Sequence, residues 1–91
     1  MFEIKEGQKG FYIGDSEDKP LAEMTFVLTG KSFIIVDHTY VSEKLKGKGI
    51  GKLLLDEVAN WARKENKKII PLCPFVKVQM EKGEEYQDVL R

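Results

Sequence analysis

Between Leu45 and Lys52 the chain reads LKGKGIGK, with glycine at every second position from Gly47 to Gly51 and lysine in most of the gaps. Glycine surrenders more backbone freedom on folding than any other residue, so this density marks a backbone that bends sharply or lies very close to something. Consecutive backbone N–H groups turned into one concavity, backed by roughly half a positive charge at a helix N-terminus, make an anion site. Phosphate is the expected occupant, because a Cβ at Gly47, Gly49 or Gly51 would hold its oxygens away from the amides. Lys44, Lys46, Lys48 and Lys52 crowd the same stretch and add screened attraction, whereas Glu81, Glu84, Glu85 and Asp88 gather near the C-terminus. The competing reading is a solvated lysine-rich surface.

Two familiar phosphate loops fail on spacing. A P-loop requires glycine where Lys46 stands and a hydroxyl where Leu53 stands. The dinucleotide fingerprint, counted from Gly47, puts Lys52 at its last glycine, and no second βαβ half follows. Metal chemistry has no support either, since one His and one Cys supply too few ligands for zinc.

The elements that must position this loop are legible in the periodicity. Phe2 and Ile4 alternate with charged residues, and Gly10 to Gly14 continues the extended character before the polar turn Asp15 to Pro20, which predicts a hairpin. Ala22, Met24, Phe26 and Leu28 fall on one face of a strand with Glu23 and Thr25 on the other, and Ser32 to Val41 forms the next strand beyond a turn at Gly30. About four antiparallel strands therefore precede anything helical. Ile50, Leu53, Leu54, Val58, Trp61 and Ala62 then recur at spacings of three and four, predicting an amphipathic helix from Gly49 to Glu65 that stops at Asn66. That spacing assigns Trp61 to core packing rather than to stacking on a base. Ile69 to Cys73 reads as a short apolar strand kept at an edge by Pro71, Phe75 to Lys82 as a second short helix, and the tail Glu84 to Arg91 as a further turn or a frayed end.

Read together, Lys46-Gly47-Lys48-Gly49-Ile50-Gly51, the preceding strand end at Val41 and the following LLLDEVANWA resemble the acetyl-CoA pyrophosphate loop of the GNAT superfamily of N-acetyltransferases. His38-Thr39 before the loop and Pro71-Leu72-Cys73-Pro74-Phe75 after the helix extend the resemblance, with the terminal Glu85-Tyr86, to a compact subgroup of small GNAT-like proteins. The resemblance implies an α/β (α+β) fold: a mostly antiparallel sheet of about five strands, a long helix after the pyrophosphate loop, and a short C-terminal helix. It implies acetyl-CoA as the cofactor, held by Lys46, Gly47, Lys48, Gly49, Ile50, Gly51 and Lys52. The strand before the loop splays from the strand after the helix in this superfamily, which puts backbone amides near Thr39, Tyr40 and Val41 against the pantetheine arm.

Departures from the superfamily pattern concern the chemistry. The helices that usually wall the acceptor site have no room here, and the position of the usual tyrosine acid falls on Met80, with Val76 and Cys73 at the companion positions. Tyr86 would serve only by reaching back. His38 and Cys73, near the ends of the two splayed strands, are the remaining reactive side chains, with His38 as general base and Cys73 as a possible acetyl carrier. Each alone reads as structural: a lone cysteine in an apolar run is an inert core residue, and a lone histidine at a strand end is a satisfied one. Asp37 could orient His38 only if the usual alternation of strand side chains were broken.

The composition limits the alternatives. Ninety-one residues make one small domain, with fifteen basic residues balancing fifteen acidic ones, which excludes a nucleic-acid binder working through its global field. The start MFEIKEG lacks an apolar leader core and no segment approaches a membrane span, so a cytoplasmic protein is expected. Its single cysteine permits no internal disulfide. The expected partners are acetyl-CoA and an amine acceptor, small or proteinaceous, with neither nucleic acid nor membrane; a homodimer could supply the missing acceptor wall. Three readings remain: an N-acetyltransferase, a non-catalytic CoA-binding or sensing module, and an interaction domain whose glycine loop is only a turn.

Overall fold

The structure, a computed structural model, describes residues 2–91. Strands β1 (Lys5–Glu6), β2 (Gly10–Ile13), β3 (Ala22–Thr29) and β4 (Phe33–Val41) form an antiparallel meander. A short 3₁₀ turn (Glu43–Leu45) and helix α1 (Ile50–Lys64) then carry the chain to β5 (Lys68–Pro71), which adds parallel to β4 at the sheet edge. Helix α2 (Pro74–Lys82) and a second 3₁₀ turn (Glu84–Tyr86) follow, ahead of the last five residues. Among the described residues, no helix is long and apolar enough to cross a membrane.

The core follows from the two periodicities. Ile50, Leu54, Leu55, Val58, Ala59 and Ala62 make the buried stripe of α1, which covers Phe11, Ile13, Ala22, Met24, Ile34 and Val36 on one sheet face. Trp61 packs its ring 4.9 Å from that of Phe26. Asn66 ends the helix in the left-handed region at φ 58°, and the Lys67 N–H closes back on the Ala62 carbonyl at 2.8 Å.

The tail is docked rather than frayed. Tyr86 and Val89 are buried, and the Ile69 N–H bonds to the Val89 carbonyl at 2.6 Å while the Arg91 N–H bonds to that of Ile69 at 3.0 Å. Burial of these apolar groups supplies the free energy that a polar tail would lack. The apolar run expected as a strand through Cys73 also ends earlier, at Pro71. Leu72 and Cys73 both turn their N–H groups onto the single Val36 carbonyl, at 3.0 and 3.1 Å, which stops the ladder and starts α2 with Pro74 in its first turn.

One irregularity decides where the site lies. Thr25 pairs with His38 but Phe26 pairs with Val36, so Asp37 is an extra residue in β4, a β-bulge. Ile34 and Val36 face the core before it; Thr39 and Val41, opposite Met24 and Ala22, face the core after it. His38 and Tyr40, opposite Thr25 and Glu23, face the side away from α1. The bulge also puts Asp37 on that outer side, where its carboxylate accepts the Thr25 hydroxyl at 2.8 Å. The strict alternation expected for this pair is therefore broken, and Asp37 and His38 share a face.

Candidate functional site

The Ser42 N–H donates to the Leu21 carbonyl at 2.7 Å, which makes these opposed residues a hydrogen-bonded pair of the β3–β4 ladder. Such pairs alternate in antiparallel strands, so Glu23/Tyr40 and Thr25/His38 are bonded pairs, while Thr39 and Val41 turn their N–H and C=O groups away from β3. On that side β5 has already stopped, since its last partner is Val36. Thr39 and Val41 thus offer a backbone edge to which no strand is paired, with the Thr39 N–H on that side acting on the Cys73 sulfur. Tyr40, expected to contribute its amide as well, commits its backbone to β3 and lends the site only its side chain.

Directly beyond this edge, the Ser42 side chain caps the 3₁₀ turn through the Lys44 N–H, and the glycine loop follows. Gly47 and Gly49 lie at φ 79° and 71°, in the left-handed region, and a Cβ at either would meet nothing within 4 Å. Backbone conformation, and not crowding within the protein, is what requires glycine there. Gly49 caps α1 with no side-chain hydrogen bond, and no acidic residue lies in the first turn. The N–H groups of Ile50, Gly51 and Lys52 precede the first intrahelical bond, from Leu53 to Gly49 at 3.2 Å, and have no acceptor within the helix. Lys46 keeps its ammonium 2.7 Å from Glu43, whose hydrogen bond and charge raise the lysine above its usual range.

The open edge and the uncapped helix end line one cleft of about 770 Å³, a volume in the range of small-molecule sites. Phe75 and Gln79 of α2 form its far wall, a contribution no helical spacing in the sequence marks. Gly51 has a different role from the one expected. A Cβ there would stand 2.6 Å from the Phe75 ring, so this glycine admits the wall rather than the phosphate. Lys48 lies outside the lining. Lys52 lines the cleft but its ammonium is drawn to Glu85, Tyr86 and Asp56, at 3.0, 2.9 and 3.4 Å, and is not aimed at an anion in the loop.

The two reactive side chains are not brought together. Cys73, partly buried at the N-cap of α2, places Sγ 3.5 Å from the Thr39 hydroxyl on the core side of the sheet. His38 projects from the outer side, with Nε2 3.5 Å from Glu23. They flank the end of the β4–β5 ladder from opposite faces, so direct proton transfer between them has no support. Burial raises the Cys73 thiol, but Thr39 and the N–H groups of Val76, Phe75 and Thr39 outweigh it and leave the pKa below that of an ordinary thiol. The thiolate's contribution to stability is thus full above the ordinary thiol value and disappears as pH falls through the depressed one. Thr39→Val removes a stabilising hydroxyl, so the pH midpoint for alkylation of Cys73 by iodoacetamide should move upward. A midpoint unchanged by the substitution would mean that Thr39 does not act on the sulfur.

The one candidate acid, Tyr86, does not serve the cleft, and the position of the usual acid is apolar. Val76 and Met80 are buried in the core. Tyr86 donates its hydroxyl to Asp56 at 2.5 Å and does not reach back toward Cys73.

Comparison with known proteins agrees with this architecture. Residues 10–89 match the family model of the GCN5-related N-acetyl-transferase. The solution structure of a GCN5-like protein from Staphylococcus aureus, provisionally assigned as an N-acetyltransferase, superposes with a TM-score of 0.84 at 48% identity, over 99% of this chain and 88% of that one. No curated protein matches the chain. Strands β2 to β4 of the meander, the parallel fifth strand, the glycine loop and the helix it caps all lie within residues 10–89, and the chain belongs to the GCN5-related N-acetyltransferase (GNAT) family.

Proposed function

We propose that the chain binds acetyl-CoA in the cleft between β4 and α1 and transfers the acetyl group to an amine. The observation that carries this reading is the continuity of one cleft from the open edge at Thr39 and Val41 to the uncapped α1 N-terminus. An extended arm with amide groups suits the first end, because it can add to a sheet edge as another strand does. A diphosphate suits the second, where left-handed glycines leave open space above backbone N–H groups.

The residues present fit the cofactor. Bound acetyl-CoA would supply an activated acyl group as a thioester. Gly47, Gly49 and the first-turn amides would hold the diphosphate, and Thr39 and Val41 would orient the arm. An N–H of the open edge would polarise the acyl oxygen. Cys73, with its depressed thiol pKa, is the nucleophile available at the ladder end, and His38 is the base available to an amine arriving on the uncovered outer face. Acceptor and cofactor would then approach the ladder end from opposite sides of the sheet.

A binding or sensing module is the second reading, favoured by the commitment of Tyr86 to Asp56 and the burial of Met80, which leave the superfamily's usual acid position without a proton donor. Titration calorimetry with acetyl-CoA and CoA, followed by thiol release in the presence of a panel of amines, separates the two. Saturable binding with turnover that falls in Cys73→Ala or His38→Gln supports transfer. Binding without turnover for any amine leaves the module, and no binding of either ligand ends both readings.

A further inference from the structure

Lys52 stands between two sites. Its stem lines the cleft, and its ammonium sits in an adjoining groove of about 290 Å³ with Asp56, Glu85 and Tyr86. The ammonium lies 3.0 Å from the Glu85 carboxylate and 2.9 Å from the Tyr86 hydroxyl, and 5.2 Å from the centre of that ring. Two carboxylates, Asp56 and Glu85, therefore surround one cation a single helical turn from a loop shaped for an anion. Left this way, the arrangement opposes the ligand the loop would take.

The segment carrying Glu85 is anchored independently of Lys52. Tyr86 is buried with its hydroxyl on Asp56, and Arg63 bonds to the Asp88 carboxylate at 2.7 Å and to the Glu85 carbonyl at 2.5 Å. The Glu85 and Lys52 side chains are about half exposed, so both can move while the backbone stays docked. A diphosphate carries more charge than one carboxylate, and the flexible lysine stem follows the stronger field.

We propose that Glu85 competes with the ligand's phosphates for Lys52, so that the C-terminal segment sets the affinity of the cleft. In the free protein Lys52 is held on Glu85; in the occupied one it turns to the phosphates and releases the carboxylate, while Tyr86 and Arg63 keep the tail in place. The inference rests on the reading of the cleft as a CoA site.

A double-mutant cycle with CoA tests it. Exposed ion pairs are weak, so Glu85→Gln should tighten CoA binding by about threefold and Lys52→Met should weaken it by a similar factor. In the Lys52→Met background, Glu85→Gln should have no effect. Tightening that persists there would be a general field effect and would overturn the competition, as would a Glu85→Gln protein with unchanged affinity. As a second measurement, the amide resonances of Glu85 and Tyr86 should shift on adding CoA and stay fixed on adding pantetheine, which lacks the phosphates; no shift with CoA overturns the proposal. A wild-type protein that binds no CoA would overturn the cleft reading itself, an outcome distinct from binding without coupling.

Discussion

Gly49→Val is expected to weaken acetyl-CoA binding by about a hundredfold while the protein stays folded. Hydrogen bonds to charged groups each contribute about 1.5–3 kcal/mol, so displacing a diphosphate from two amides accounts for that factor or more. The space above Gly49 is open, so the new side chain would occupy what the ligand needs without colliding with the protein. Its φ of 71° imposes a separate strain of about 1–2 kcal/mol on a residue with a Cβ. A small protein with about 5–15 kcal/mol of stability tolerates this. Gly30 provides the control, because it lies at φ 66° in the β3–β4 turn with nothing within 4 Å of an added Cβ and outside the cleft lining. Gly30→Val should lower the melting temperature comparably and leave affinity untouched. Equal affinity losses in both variants, or none in either, would remove the loop from the binding site.

The same glycines show how far the sequence can be read. Their spacing, with the helical stripe behind them, locates a loop that enters α1, and the helix begins and ends within a residue of the expected Gly49 to Glu65 because capping and apolar period coincide there. Strands β3 and β4 are equally visible, since each carries a half-buried alternation. The fifth strand is legible from its apolar run and Pro71, but its endpoint is not: it depends on the Val36 carbonyl accepting two N–H groups, a tertiary event.

Three features of the site lie beyond the sequence for physical reasons. Gly51 looks identical to its neighbours until the Phe75 ring is seen where its Cβ would be. Lys52 belongs to the lysine cluster along the chain, yet its ammonium is nearest Glu85 and Tyr86, more than thirty residues away. Cys73 and His38 come from strands expected to flank one gap, and only the bulge at Asp37 shows that their side chains leave it on opposite faces. Local pattern specifies which residues are apolar and where the chain turns. It does not specify which long polar side chain finds which distant partner, because many pairings of similar small free energy compete on a surface.

Deleting Asp37 is expected to abolish measurable acetyl-CoA binding in a protein that remains folded, and this follows from what the bulge does to β4. Without the extra residue, β3 and β4 pair without interruption from Thr29/Phe33 to Ala22/Val41, and the inward set Ile34, Val36, Thr39 and Val41 becomes a regular alternation. The ladder gains continuity and loses one exposed Thr25–Asp37 hydrogen bond, contributions of about 1 kcal/mol each that nearly offset. What disappears is the local bend and added twist that a bulge imposes. A straighter β4 runs on beside Leu72 and Cys73, whose N–H groups already reach its Val36 carbonyl, and narrows the gap in which Thr39 and Val41 present their free edge. The check is an amide spectrum retaining the β3–β4 resonances together with calorimetry that shows no heat of binding. Wild-type affinity in the deletion variant would mean that the end of β5 alone opens the cleft and that the bulge only re-aims His38.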